Sequence, residues 1–485
     1  MATTSKLPLA VGLVWLCIAA TAAHAQSPAP GGLRFPEQLR EQVDLLVDPF
    51  LETGRGVGMV VGVVKGDRTW VFGYGSVARG SARTPDGNTV FEIGSATKTF
   101  SGILTAALIQ EGRMDLTQPI ERYLPPGVKV PSRDGRKITV TDLVTHSSGL
   151  PYHATNGDEK NPHGRFAGYT PEQLYRFLGS FKLDRSPGTR YDYSNVGAGL
   201  VSHAAALVTH KTFEAMVKER ITGPLGMNDT AIALAPELQA RKAQGYDADL
   251  NPVLGEEIGT LEGAGALRST ANDMLTYLKA NLGLVKTPCG PAMALSHNPL
   301  FTVNDFLRVG IFWHVLKDGA VFHSGATTGF HSFQGFSPAD KAGVVVLSNC
   351  MNAPAAELIG LYTLGFACGR PCPPVKLDMP VTLAPAALDS CVGEFRTGSG
   401  DLFVVSREGS RLVISKAGCK AVVLYPKSPT EFDQRAATGT IAFHRDAQGK
   451  ATGLTIQDNG KSVTAERLPG RSPPPAPTAT VEGGQ

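Results

Sequence analysis

Two β-prone runs near the amino end and three more far down the chain limit what this sequence can fold into. Val57 to Val64 and Thr69 to Tyr74 are separated by Lys65-Gly66-Asp67-Arg68, a hairpin signal. Val321 to Phe322, Ser332 to Phe336 and Gly343 to Leu347 are strand-like again. From Asp115 to about Leu284 the pattern is mostly helical, with loops marked by Gly, Pro and Asn. A helical stripe of Leu39, Val43, Leu46, Val47 and Phe50 precedes the first strands, and a helical stretch from Ala353 to Phe366 follows the last. Helix, two strands, a helical insertion, three strands and a helix predict an α/β fold with one antiparallel sheet flanked by helices. A ligand is expected between that sheet and the insertion.

The stretch most suggestive of chemistry is Phe91-Glu92-Ile93-Gly94-Ser95-Ala96-Thr97-Lys98-Thr99-Phe100. Phe100, Ile103, Leu104, Ala107 and Leu108 follow at helical spacing, so Ser95 is expected to open a buried helix. Positions i and i+3 share a helix face, which brings the Lys98 amine to the Ser95 hydroxyl at the positive end of the helix dipole. A serine hydroxyl needs a base to become a nucleophile, and a desolvated lysine can serve. Ser-x-x-Lys also arises by chance in long chains, so other stretches must decide.

The two ends read differently. Lys6, an apolar core from Leu7 to Ala20 and Ala23-His24-Ala25 predict a signal peptide over 1–25, too short to span a bilayer. Cys17 lies inside that core rather than at the cleavage point, which argues against a lipid anchor. An exported, periplasmic protein with no transmembrane segment is expected. A net charge of +3 without a basic block or a basic amphipathic helix speaks against a nucleic-acid partner.

Six of the seven cysteines follow the predicted cleavage point: Cys289, Cys350, Cys368, Cys372, Cys391 and Cys419. Disulfides or buried thiols are expected rather than a metal site, and Cys391 with Cys419 could close a hairpin. Residues 369–386 read as a Pro-rich linker. Over 387–468, short β-prone runs at 392–395, 402–405, 412–414, 421–424, 440–444 and 453–457 suggest a small antiparallel barrel or curved sheet. Residues 469–485 have almost nothing to bury and read as a disordered tail.

Two further stretches bear on chemistry. In Pro187-Gly188-Thr189-Arg190-Tyr191-Asp192-Tyr193-Ser194-Asn195, a loop leads into an apolar helix. A tyrosinate at Tyr193, stabilised by an ammonium group, could accept a proton, and Asn195 could hold an amide with both donor and acceptor. The plainer reading is a helix cap by Ser194 or Asn195 beside a packed tyrosine. In Phe322-His323-Ser324-Gly325-Ala326-Thr327, a strand edge with a small residue and Gly could receive a substrate backbone. The Ala326 and Ser95 amides could form an oxyanion hole, or the stretch could be only a glycine-rich turn.

In this order and spacing, the three stretches resemble the serine β-lactamase/penicillin-binding-protein superfamily, specifically its class C β-lactamase group. Leu143-Val144-Thr145-His146-Ser147-Ser148-Gly149-Leu150-Pro151, Pro224-Leu225-Gly226-Met227 and Gly263-Ala264-Gly265-Ala266-Leu267-Arg268-Ser269-Thr270 look like the family too. The wording is nearest to the periplasmic AmpH-type DD-peptidases. The resemblance covers about 36–368 and implies a β-lactamase/transpeptidase-like catalytic domain. It implies that Ser95 is the acylated nucleophile, that Lys98 and Tyr193 share the general-base work, and that Tyr193 helps activate the deacylating water. It further implies that Asn195 binds the substrate amide and that the Ser95 and Ala326 amides, beside Gly325, stabilise the oxyanion. His323 stands where the family usually has Lys. A histidine is only partly charged near neutral pH, so it would hold a substrate carboxylate less firmly and in a pH-dependent way.

Other chemistries find little support. The eleven histidines include no His-x-x-x-His, and His146, His153 and His163 lack metal-ligand spacing. There is no Gly-x-Ser-x-Gly elbow and no phosphate-binding glycine loop. No cofactor and no metal are expected. The expectation is an exported serine hydrolase acting through an acyl-enzyme on β-lactams or on D-Ala-D-Ala peptides of peptidoglycan. An esterase for small acyl substrates and a non-catalytic protein binding the same ligands are the alternatives.

Overall fold

The computed structural model describes residues 35–351, 355–371, 381–409, 411–416, 422–434, 439–458 and 461–469. The expected signal peptide with Cys17, most of the linker, Cys372, Cys419 and the tail beyond Pro469 lie outside the described residues. The chain divides after Val375 into two units.

In the first unit, α1 (Phe35–Glu52) buries the five-residue stripe read from the sequence. β1 (Gly58–Lys65) and β2 (Arg68–Gly75) pair around a turn at Gly66-Asp67, and Gly66 takes φ +59°, a conformation that glycine adopts without strain. The sheet is completed by β3 (Phe301–Thr302), β4 (Leu307–Val309), β5 (His314–Leu316), β6 (Val321–Ala326), β7 (His331–Ser337) and β8 (Ala342–Ser348). Its order is β2-β1-β8-β7-β6-β5-β4-β3, antiparallel throughout. β1 and β8 read as unbroken apolar runs because both faces of the sheet are covered. The sequence reading missed β3, β4 and β5. These strands are two or three residues long, too short to show a period.

Alternation along β7 separates the two faces of the sheet. Phe333 meets α5 (Ala355–Ala367) at Gly360, whereas Gln334 donates to Thr99 of α2 (Thr97–Gln110) at 2.8 Å. α2 is buried on almost every side, so its residues show no polar stripe. Phe100 stacks on Tyr277 of α4 (Ala271–Asn281) with ring centres 4.2 Å apart, and the Tyr277 hydroxyl donates to Thr99 at 2.9 Å. Truncating Phe100 to Ala would cost about 3–5 kcal/mol. The stretch between α2 and α4 holds fewer long helices than its pattern suggested. Its longest is α3 (Asn195–Thr209), joined by a ten-residue helix at Pro171–Ser180 and by shorter turns and irregular segments.

The second unit is a closed antiparallel barrel: β9 (Gly393–Thr397), β10 (Leu402–Glu408), β11 (Arg411–Lys416), β12 (Val422–Pro426), β13 (Glu431–Gln434), β14 (Thr440–Arg445), β15 (Ala451–Asp458) and β16 (Lys461–Arg467). Phe395, Leu412, Leu424, Phe432, Ile441 and Leu454 fill it. Closure removes the unpaired edges that an open sheet would leave. Among the described residues, Cys289, Cys368 and Cys391 are free thiols, and Cys289 and Cys391 are buried. Among the described residues, no helix is long and apolar enough to cross a membrane.

Candidate active site

Ser95 sits in a single tight turn, Gly94–Ala96, that runs directly into α2. The helix expected to open at Ser95 opens two residues later. Lys98 is fully buried one turn on. Its Nζ lies 2.8 Å from Ser95 Oγ, 2.7 Å from Asn195 Oδ1 and 2.6 Å from the Ala264 carbonyl oxygen. Asn195 Oδ1 and the carbonyl can only accept, so each takes one N–H. A neutral amine has two N–H bonds and one lone pair, and the lone pair then faces the Ser95 hydroxyl. Burial holds the lysine well below its usual pKa, which favours that same neutral form. Among the described residues, no carboxylate lies within ion-pair distance of it.

The Tyr193 ring centre is 4.9 Å from Lys98 Nζ, and its phenol is near enough for Ser95 to oppose the effect of burial on its pKa. Burial pushes the phenol well above its usual pKa. The tyrosinate expected from the sequence is therefore not the form this environment favours. With Lys98 uncharged, no ammonium group stabilises the anion, and Tyr193 keeps its proton.

The loop that carries Tyr193 is held by the segment around His146. The Asp192 amide donates to the His146 carbonyl at 2.6 Å, and the Ser194 amide donates to His146 Nδ1 at 3.2 Å. The imidazole stacks on the Tyr193 ring at 4.2 Å. Ser194 caps α3, accepting from the Gly197 amide at 2.9 Å and donating to the Pro151 carbonyl at 2.8 Å. That cap starts the helix at Asn195 and aims its amide group at Lys98. Both readings of this stretch hold together: Ser194 is the cap, and its neighbours line the site.

Gly94 and Gly325 set the approach of the two backbone amides. A Cβ on Gly325 would stand 2.0 Å from the Ile93 carbonyl oxygen and 2.8 Å from the Ser95 amide nitrogen. A Cβ on Gly94, which has φ +51°, would stand 2.7 Å from the Ala326 amide nitrogen. Only glycine at both positions lets β6 lie against the turn that carries Ser95. β5 pairs with β6 only at Val321 and Phe322, so Ser324 to Ala326 pair with β7 alone. The free side of that backbone is open to an added extended chain.

His323 differs from expectation. It is 1% exposed, its Nδ1 is 2.6 Å from the Ser324 carbonyl, and its ring stacks on His314 at 5.1 Å. Burial, with His314 and Lys98 nearby, keeps its pKa well below the usual histidine value. The partly charged imidazole read from the sequence is replaced by a neutral one. Ser324 donates its hydroxyl to the buried Glu357 of α5 at 2.5 Å.

The sequence reading missed His314, Tyr152, Glu256 and Glu357, which come from four separate segments with no spacing signal. Among the described residues, no three His, Cys, Asp or Glu side chains converge as a metal-ligand set.

A family model described as Beta-lactamase matches residues 43–364, which excludes the barrel. D-alanyl-D-alanine-carboxypeptidase/endopeptidase AmpH of Escherichia coli (strain K12) is 31% identical over 268 residues, spanning 55% of this chain and 67% of that protein. A β-lactamase of Pseudomonas fluorescens is 27% identical over 359 residues, spanning 66% and 96%. A solved β-lactamase/D-alanine carboxypeptidase from Yersinia pestis, complexed with citrate, shares the fold with a TM-score of 0.61 at 21% identity, covering 70% of this chain and all of that one.

Proposed function

The chain belongs to the Beta-lactamase family as a class C-like serine hydrolase, and from that premise we propose that it is exported and works through an acyl-enzyme on Ser95. Its substrates in this reading are D-Ala-D-Ala peptides of the cell wall or β-lactams. The observation that carries it is the fully buried Lys98 amine 2.8 Å from Ser95 Oγ, whose pKa that burial lowers toward the neutral, proton-accepting form.

Ser95 Oγ attacks the carbonyl carbon while Lys98 Nζ takes its proton. The negative charge on the carbonyl oxygen is met by the Ser95 and Ala326 amides. As the C–N bond breaks, the leaving nitrogen receives a proton through the Tyr193 hydroxyl, which Lys98 resupplies. A water then attacks the Ser95 ester, giving its proton to the same pair and freeing the acid. Asn195 positions the acyl amide, and the free side of residues 324–326 receives the substrate backbone.

One observation favours a second reading, an esterase for small acyl substrates. With His323 neutral and its one N–H donated to the Ser324 carbonyl, the position where the family usually has Lys offers a substrate carboxylate neither a positive charge nor an N–H.

The test is an intact-mass time course of the mature protein with benzylpenicillin, beside Ser95→Ala. A persistent adduct that the variant lacks supports a DD-peptidase. A transient adduct with accumulating hydrolysed drug supports a β-lactamase. No adduct, with fast turnover of a p-nitrophenyl ester, supports the esterase. No reaction with either overturns the acyl-enzyme.

A further inference from the structure

Glu256 is a carboxylate at the catalytic cleft that the mechanism above does not use. Its Oε2 accepts from the Thr328 amide at 3.2 Å, two residues past Ala326. Its charge bears on Lys98, raising that amine's pKa against the effect of burial, and on Tyr152. The Glu256 main chain is tied down separately. Its amide reaches the Glu92 carboxylate at 3.3 Å, and its carbonyl accepts from Arg268 at 3.1 Å. Glu92 takes the nearby cations: Lys242 at 2.8 Å and Arg268 at 3.6 Å. Among the described residues, Glu256 itself has no ion-pair partner.

Tyr152 stands on the same part of the cleft. Its carbonyl accepts from the Asn195 amide at 3.1 Å, its ring centre is 5.8 Å from that of Tyr193, and the residue is 48% exposed. An exposed phenol ring and an unpaired carboxylate on one cleft suit an ammonium ion, which gains from the charge and from the ring face. Lys98 in its neutral form does not repel such a group.

The direction along the cleft says which half of the substrate carries it. His323 lies within the strand that receives the substrate, and Thr328 lies two residues past the end of that strand at Ala326. In the reading above, the leaving group and its carboxylate lie toward His323. Asn195, Tyr152 and Thr328 then border the acyl half.

We propose that Glu256 and Tyr152 form a subsite for a primary ammonium group on the acyl half of the substrate, so that the enzyme prefers amine-bearing acyl donors. This rests on the acyl-enzyme reading above. Glu256 is a specificity residue here, because it touches substrate away from the reacting bond.

The test compares acylation by ampicillin and benzylpenicillin, which differ by one amino group on the acyl side chain. The matched p-nitrophenyl esters of phenylglycine and phenylacetic acid serve as a second pair. The wild-type protein should favour the amine-bearing member of each pair by about tenfold, the scale of one charge-assisted contact. Glu256→Gln keeps an acceptor for the Thr328 amide. It should bring the ratio to about one; any change it makes in the base Lys98 acts on both members of a pair and cancels in the ratio. Glu256→Asp should restore part of the preference, and Tyr152→Leu should reduce it by about threefold. A wild-type ratio near one, or a ratio that Glu256→Gln leaves intact, overturns the subsite and leaves the acyl-enzyme standing. A protein that no member of either pair acylates overturns both.

Discussion

Lys98 Nζ lies 2.8 Å from Ser95 Oγ with its other two directions taken by acceptors, so the one direction left for a lone pair points at the serine hydroxyl. The three contacts would also fit the three N–H bonds of an ammonium, so it is burial, by lowering the pKa, that favours the neutral amine; the two fixed acceptors then leave its lone pair to the serine.

Replacing Lys98 by Ala should lower acylation by about 10²–10⁴-fold, the usual range for a general base. The sign of the pH effect is fixed as well. The base works when neutral, so acylation is lost as pH falls through the lowered pKa of Lys98 in the folded protein. Stopped-flow acylation by one substrate across pH should show a single acid limb. A limb that persists unchanged in a slow but active Lys98→Ala protein would belong to another group.

Gly325→Ala should damage both catalysis and the fold, because its Cβ would overlap the Ile93 carbonyl and press on the Ser95 amide. Separating the two amides should cost about 10²–10³-fold in acylation, comparable to losing one oxyanion donor. The backbone clash should also lower the midpoint of thermal unfolding. Near wild-type acylation in the variant would mean that the Ala326 amide does not take part.

Much of this site was legible in the sequence because its pieces are local. Ser95 and Lys98 share one helical turn, Tyr193 and Asn195 straddle one cap, and Gly325 and Ala326 end one strand. Burial was not legible. From the sequence His323 reads as a partly charged imidazole and Tyr193 as a tyrosinate, whereas both are neutral once His146 and His314 pack against them. Those neighbours arrive from distant segments with no shared period. The fold followed the same rule: β1, β2, β6, β7 and β8 carried apolar runs that could be read. β3 to β5 exist because β6 offers them an edge.

Several histidines are buried neutral, and this makes stability depend on pH. His314 and His297 are held down to about 4 by burial. Below the ordinary histidine value of about 6.5, the unfolded chain binds protons that the folded chain refuses. Stability is then complete above about pH 6.5 and is lost progressively as pH falls toward 4. Each group contributes on the order of 1–3 kcal/mol across that window. Urea unfolding at pH 7.5, 6 and 5 should give falling midpoints. His314→Asn, compared with wild type, should show a shallower fall. Midpoints independent of pH over this range would mean that the imidazoles gain protons in place.

The last prediction separates a neutral His323 from the charged group expected at that position. A half-titrated imidazole binding a carboxylate would make anionic substrates improve on acidification, while neutral esters would not. With its pKa well below the usual value, His323 stays neutral above pH 6. The ratio of kcat/KM for benzylpenicillin to that for an uncharged p-nitrophenyl ester should therefore be flat from pH 6 to 8. Lys98 titrates in both reactions and cancels in the ratio. His323→Gln, which is likewise uncharged, should leave the flat profile in place. A ratio that rises toward pH 6 in the wild-type protein and flattens in His323→Gln would show that the imidazole is protonated in the substrate complex, against the effect of its burial.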